Sequence, residues 1–223
     1  MAARDRSDAG QAFPIYMMMV VGLLFLAFAF FAVGQASATR NGAQGAADAA
    51  ALAAAQTARD GLGPPFLEAL RTPDGLEEFL EFHQYGWDGC NEAQILASDN
   101  RSDLEGNDRV PRGCHWVPGY LQDKVTARVK TRYTVGDSLL PGTENEHATA
   151  TATAVIKFRC SSKPAPEVPD PGQGDDKGKD GSKDTPGPVA FSCGGRNVTI
   201  DLSDSDPLAG LMKLLFAVHL IDD

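Results

Sequence analysis

GQAFPIYMMMVVGLLFLAFAFFAVGQASATRNGAQGAADAAALAAAQTARD, residues Gly10–Asp60, decides the architecture of this chain. Between Ala9 and Thr39 there is no Asp, Glu, Lys or Arg. The densest part, Phe13–Val33, is 21 residues, about 31 Å as a helix at ~1.5 Å per residue, which matches a hydrocarbon core of roughly 30 Å. No other segment is apolar enough to surround such a helix in a soluble core. The expectation is therefore one transmembrane helix over 13–34, preceded by a cytoplasmic tail over 1–12. A cleaved signal peptide is the competing reading, with Arg4 and Arg6 as its n-region and Ala36-Ser37-Ala38 as an A-x-A cleavage site. The apolar run exceeds the roughly 7–15 residues of a secretory h-region, which favours a retained anchor.

The helix is expected to continue past the membrane surface. Arg40–Asp60 is rich in Ala, the strongest helix former, and lacks Pro. Gly61 and Gly63-Pro64-Pro65 then supply a stop signal. This gives one helix from about Phe13 to Arg59, whose outer part (35–60) is an Ala-rich stalk. Ala47, Asp48, Ala51 and Leu52 are its candidate helix-packing residues. So little bulk lets neighbouring backbones approach closely, so the stalk reads either as an assembly interface or as a solvated spacer.

Gly10–Gln56 resembles the N-terminal segment of TadE/TadG-like proteins of Flp pilus-assembly systems. The most specific part is Asn41-Gly42-Ala43-Gln44-Gly45-Ala46-Ala47-Asp48-Ala49-Ala50-Ala51-Leu52-Ala53. Family members similarly follow the hydrophobic helix with a Gln- or Asn-containing turn and an A-D-A-A-A-L-A run. The resemblance implies a bacterial envelope protein associated with pilus assembly or tight-adherence secretion. Processed pilin-like members carry a Glu five residues after the cleavage-site Gly; here Gly10 is followed at that distance by Ile15, so prepilin-peptidase processing is not expected.

Orientation is read from charge and cysteines. Two arginines precede the span, whereas Arg40 and Arg59 are the only basic residues between it and Asp60, favouring the N-terminus inside. Cys90, Cys114, Cys160 and Cys193 all lie beyond the span and none has C-x-x-C spacing, which fits two disulfides in an oxidising exterior. Of the three possible pairings, Cys90–Cys114 with Cys160–Cys193 is the expected one, because each pair flanks a polar stretch with few core residues. The formal net charge of −10 arises wholly after the span, where 18 basic residues face 28 acidic ones once Arg4, Arg6, Asp5 and Asp8 are subtracted from 20 and 30. Such a surface repels phosphate backbones, so nucleic acid is not an expected partner.

The outer region reads as α+β, with an antiparallel sheet in a small mixed domain (61–160) completed by residues 190–223. Pro73–Tyr85 carries Leu76, Phe79, Leu80 and His83 at helical spacing. Val125–Val135 alternates, with Val125, Ala127, Val129, Thr131, Tyr133 and Val135 on one face. Ala148–Phe158 reads as a second strand, antiparallel to the first across a long loop, and Asn197–Leu202 as a short third. Ser161–Val189 holds six prolines and five glycines, and it is expected to be a disordered linker loop. Pro207–Ile221, after Asp206 as N-cap, is expected to be an apolar helix docking on the domain, with a membrane or partner as the other option.

No catalytic arrangement emerges. His83, Cys90, Cys114 and His115 lack the tightly spaced ligand pairs of a structural zinc site. Asp176–Gly181 has Gly178 at a calcium-ligand position and no closing Glu. Asp201-Leu202-Ser203-Asp204-Ser205 has the letters of a von Willebrand A metal motif, but only 18 residues follow it. The expectation is thus no enzyme, no cofactor and no metal. The chain reads as a single-pass cell-membrane protein with its C-terminal domain extracytoplasmic, contacting envelope proteins through the N-terminal helix. The alternative is an anchored or secreted binding module for an unknown ligand.

Overall fold

The computed structural model describes residues 12–72, 74–81, 89–136, 142–163, 187–208 and 210–222. One helix, α1 (Ala12–Gly61), runs for 50 residues, close to the expected bounds. Its two halves have opposite environments. From Phe13 to Ala38 every side chain is exposed or half-exposed, with Phe13, Phe25 and Phe30 at 70%, 72% and 75%. From Thr39 onward one face is buried: Ala43, Ala46, Ala47, Ala50, Ala51, Ala54, Ala55 and Ala58 follow one another in steps of three and one. Such steps keep all of them on a single helical stripe.

That stripe packs on a sheet and on a second helix of the same chain. After the short helices α2 (Gly63–Ala69) and α3 (Gly75–Glu81), helix α4 (Cys90–Asp99) lies against α1. Strands β1 (Ser102–Leu104) and β2 (Cys114–Val117) both pair antiparallel with β3 (Gln122–Thr134), which pairs antiparallel with β4 (His147–Phe158). Along β3 the buried residues are Asp123, Val125, Ala127, Val129 and Thr131, the alternation that a one-sided strand requires. Opposite them in register, Ala150, Ala152, Ala154 and Ile156 of β4 present mainly methyl-sized groups. Alanine meets alanine across this interface, so helix and sheet can approach closely. The Ala-rich segment is therefore the central rod of the head's core rather than a stalk standing clear of it.

A second sheet is built from β5 (Cys160–Lys163), β6 (Val189–Cys193) and β7 (Arg196–Ile200). Residues 161–163 and 189, expected in the linker, thus belong to paired strands; residues 164–186 lie outside the described residues. Past the end of α1, Phe66 contacts Phe79, Phe158, Phe191 and Phe216, joining the helices to both sheets.

The C-terminal expectation is corrected. Pro207–Ile221 is not one helix: only Met212–Leu215 (α5) is helical, and Phe216–Ile221 forms β8, antiparallel to β4 from Phe158↔Phe216 to Thr153↔Ile221. Gly210, at φ 69°, takes a backbone conformation that an α-helix does not contain. The apolar run that follows reads equally well as a strand with neighbours on both faces, and hydrogen bonding to β4 decides the matter. Of the expected helix over Pro73–Tyr85, the described part is α3; His83 lies outside the described residues.

Candidate membrane anchor and assembly surface

Two sulfur bridges fasten the head. Cys90, the first residue of α4, is bonded to Cys114, the first of β2, with the Cα atoms 5.8 Å apart. Cys160 and Cys193 face each other directly in the β5–β6 register and are bonded at a Cα separation of 4.2 Å. Both pairings are those expected from the flanking sequence. A thiol consumed in a disulfide is not a thiolate, so Cys90 and Cys114 cannot serve as zinc ligands in this state.

The four helix-packing candidates divide by depth. Ala47 and Ala51 are fully buried in the chain's own core, and Leu52 packs at its margin. Neither alanine offers an open face to a partner, and Leu52 is half-buried. Asp48 is half-buried and accepts a hydrogen bond from Gln44 Nε2 at 2.8 Å, one turn earlier. On the face opposite the stripe α1 exposes Arg40, Asn41, Gln44, Gly45 and Gln56, and its apolar half, Phe13–Ala38, is open all round, is long and apolar enough to cross a membrane and has none of its most apolar window buried.

Sequence reasoning missed a groove beside Asp48. Strand β8 ends opposite Thr153, so among the described residues His147–Ala152 of β4 have no strand partner on that side. Gln44 and Asp48 of α1, Thr151 and Ala152 of β4, and Leu220, Ile221 and Asp222 line a cavity of about 510 Å³ there. The alternating Thr and Ala of 148–154 hinted at it, since that tract has no bulk to fill the space left by an absent neighbour.

Elsewhere the head's polar groups serve the fold. Arg128 on the outer face of β3 donates to the Glu105 carboxylate and, at 3.0 Å, to its backbone carbonyl. That hydrogen bond, ahead of charge attraction from Arg128 and Lys130, holds the Glu105 carboxyl below its usual range despite partial desolvation. Arg132 likewise donates to both oxygens of Asp103, at 3.0 and 2.7 Å, and to Ser98 Oγ. This bidentate contact lowers the Asp103 carboxyl and raises the guanidinium. Asp201 accepts from the Ser203 backbone N–H and hydroxyl within one exposed turn, so its carboxylate is engaged locally. Nothing in these contacts assembles a nucleophile with a base.

Residues 10–57 match a family described as "Putative Flp pilus-assembly TadE/G-like". The matched stretch ends with the Ala-rich stripe and leaves out the sheets. No curated protein and no solved structure matches the chain.

Proposed function

We propose that this chain is a membrane-anchored structural or accessory component of an Flp-type pilus or a related secretion apparatus. One observation carries the reading: the segment matched to the pilus-assembly family is also the single helix whose first half is apolar and bare and whose second half is the rod of the head. Largely exposed Phe, Met and Leu side chains along the apolar half of α1 would cost far too much in water, at about 25 cal/mol per Å². A bilayer, joined there by the helices of other assembly proteins, removes that cost. The N-terminus then lies in the cytoplasm and the head outside, where its two disulfides are stable. Partners would meet the apolar half of α1 in the membrane; the Ala stripe beyond it is already occupied by β3, β4 and α4.

The test is genetic and visual. Deleting the gene should abolish surface pili in electron micrographs, and the full chain should restore them. A version carrying residues 39–223 behind a cleavable signal should not. Normal piliation in the deletion strain would refute the proposal.

A further inference from the structure

The continuity of α1 fixes the height of the head above the bilayer, and with it the end of the head that meets the lipid. From Val33, the end of the apolar run, to Thr39, the first buried residue, is six positions, or about 9 Å of helix at ~1.5 Å each. The headgroup layer on each side of the hydrocarbon is roughly 5–8 Å thick. The head therefore begins where the headgroups end, with no spacer between.

The contacts identify that end. Tyr133 stands over Gly42, where its hydroxyl fills the place a Cβ would take. Thr134 pairs with His147, Thr131 with Ser102, and the Arg132 N–H donates to the Arg101 carbonyl at 2.8 Å. The last turn of α4, the Arg101 turn and the β3–β4 ends are thus gathered at the level of residue 42 of α1. Phe158, Phe216 and the second sheet lie at the far end, near Leu62 and Phe66, about 30 Å further along at ~1.5 Å per residue from residue 42 to the end of α1.

Two guanidinium groups sit exposed at the near end. Arg40 is the first charge after the apolar run. Arg101 is held in a left-handed turn at φ 53°, with its N–H bonded to Ser98 O at 2.9 Å. Neither side chain has an ion-pair or hydrogen-bond partner among the described residues, whereas Arg128 and Arg132 on the same sheet are both engaged by carboxylates. A guanidinium fork matches phosphate oxygens, and its apolar stem tolerates the interface. Asp99, Glu144 and Glu146 lie at the same end, so it has no basic excess and no reason to prefer anionic lipid.

We infer that the α4–β1 end of the head rests on the outer-leaflet headgroups, with Arg40 and Arg101 donating to lipid phosphates. This rests on the reading of Phe13–Val33 as a membrane span. None of the four native cysteines is free, so single spin labels can be placed by Phe25→Cys, Asp99→Cys and Asp206→Cys in the full chain, reconstituted in phosphatidylcholine vesicles. Power saturation with oxygen and a water-soluble nickel chelate reads depth. The label at 25 should be in hydrocarbon, that at 99 at headgroup depth and that at 206 in free water. Adding Arg40→Glu and Arg101→Glu should move the label at 99 toward water and leave the one at 25 unchanged. A label at 99 as open to nickel as the one at 206, with 25 still lipid-buried, overturns the resting head alone. A label at 25 in water overturns the membrane span and this inference with it.

Discussion

Ala50→Leu is the substitution that best separates a core rod from a free stalk. Ala50 has no exposure, and neither have Ala46, Ala47, Ala51 and Ala54 around it. Across the interface Ala127 and Ala154 are fully buried as well and Ala152 nearly so. Leucine adds three carbons to a position with no exposure, in a core in which the helix stripe and much of the facing sheet are alanine. Overpacking of this kind costs about 1–3 kcal/mol, and the full burial of Ala46, Ala47, Ala51 and Ala54 beside it places Ala50→Leu toward the upper end. A loss of ~3 kcal/mol reduces the folded-to-unfolded ratio roughly a hundredfold. The helix itself contributes almost nothing to the change, because Ala and Leu differ by only a few tenths of a kcal/mol in propensity. Five residues earlier, a Cβ added at Gly45 would meet nothing within 4 Å, so Gly45→Ala should stabilise the chain by about 1 kcal/mol. Urea unfolding of the full chain in detergent micelles, followed by circular dichroism, measures both. If Ala50→Leu unfolds within ~0.5 kcal/mol of the parent, as ordinary surface substitutions do, the Ala stripe is not in the core and the packing argument is wrong.

Removing the bridge between β5 and β6 by Cys160→Ser with Cys193→Ser opens a loop with a sequence separation of 33. In the chain-entropy description this costs about 3.7 kcal/mol, and urea midpoints of the two forms should show it; a loss under ~1 kcal/mol would mean the second sheet does not depend on the bridge. The Glu105 pair predicts an acid limb. Its folded carboxyl titrates below the ordinary glutamate value of about 4.3, so the stabilisation is complete above that pH and is lost as pH falls through the folded value. For a pair at the solvent edge this amounts to no more than about 1 kcal/mol. Arg128→Gln should flatten that part of the stability–pH curve, and an unchanged acid limb would show that Arg128 is not the cause.

The elements legible in the sequence are those whose pattern has one physical reading. A charge-free run of membrane length, an Ala-rich continuation without Pro, and the strict alternation of Val125–Thr131 each fit one structure, and α1, β3 and β4 follow them within a few residues. The cysteine pairing was legible because each pair brackets residues that cannot fill a core. What escaped depended on long-range partners. Phe216–Ile221 is apolar but for His219, so its own period does not settle its conformation and its strand character is set by β4, some sixty residues away. Ser161–Lys163 is polar and short, and it becomes a strand because Cys160 is tied to Cys193. The buried side of the Ala stripe was ambiguous for a related reason: alanine fits a close helix contact with a partner or with the chain's own sheet equally well. The open edge of β4 beside Asp48 could not be foreseen without knowing where β8 stops.

In the proposed arrangement one uninterrupted helix both spans the membrane and forms the rod of the head. Ala36-Ser37-Ala38, which has the letters of a signal-peptidase site, lies within that helix. Intact-mass measurement of the chain from carbonate-washed membranes tests this arrangement directly. A membrane-retained protein that still carries residues 13–38 is expected; a mature chain beginning at Thr39 in the soluble fraction would contradict a spanning helix.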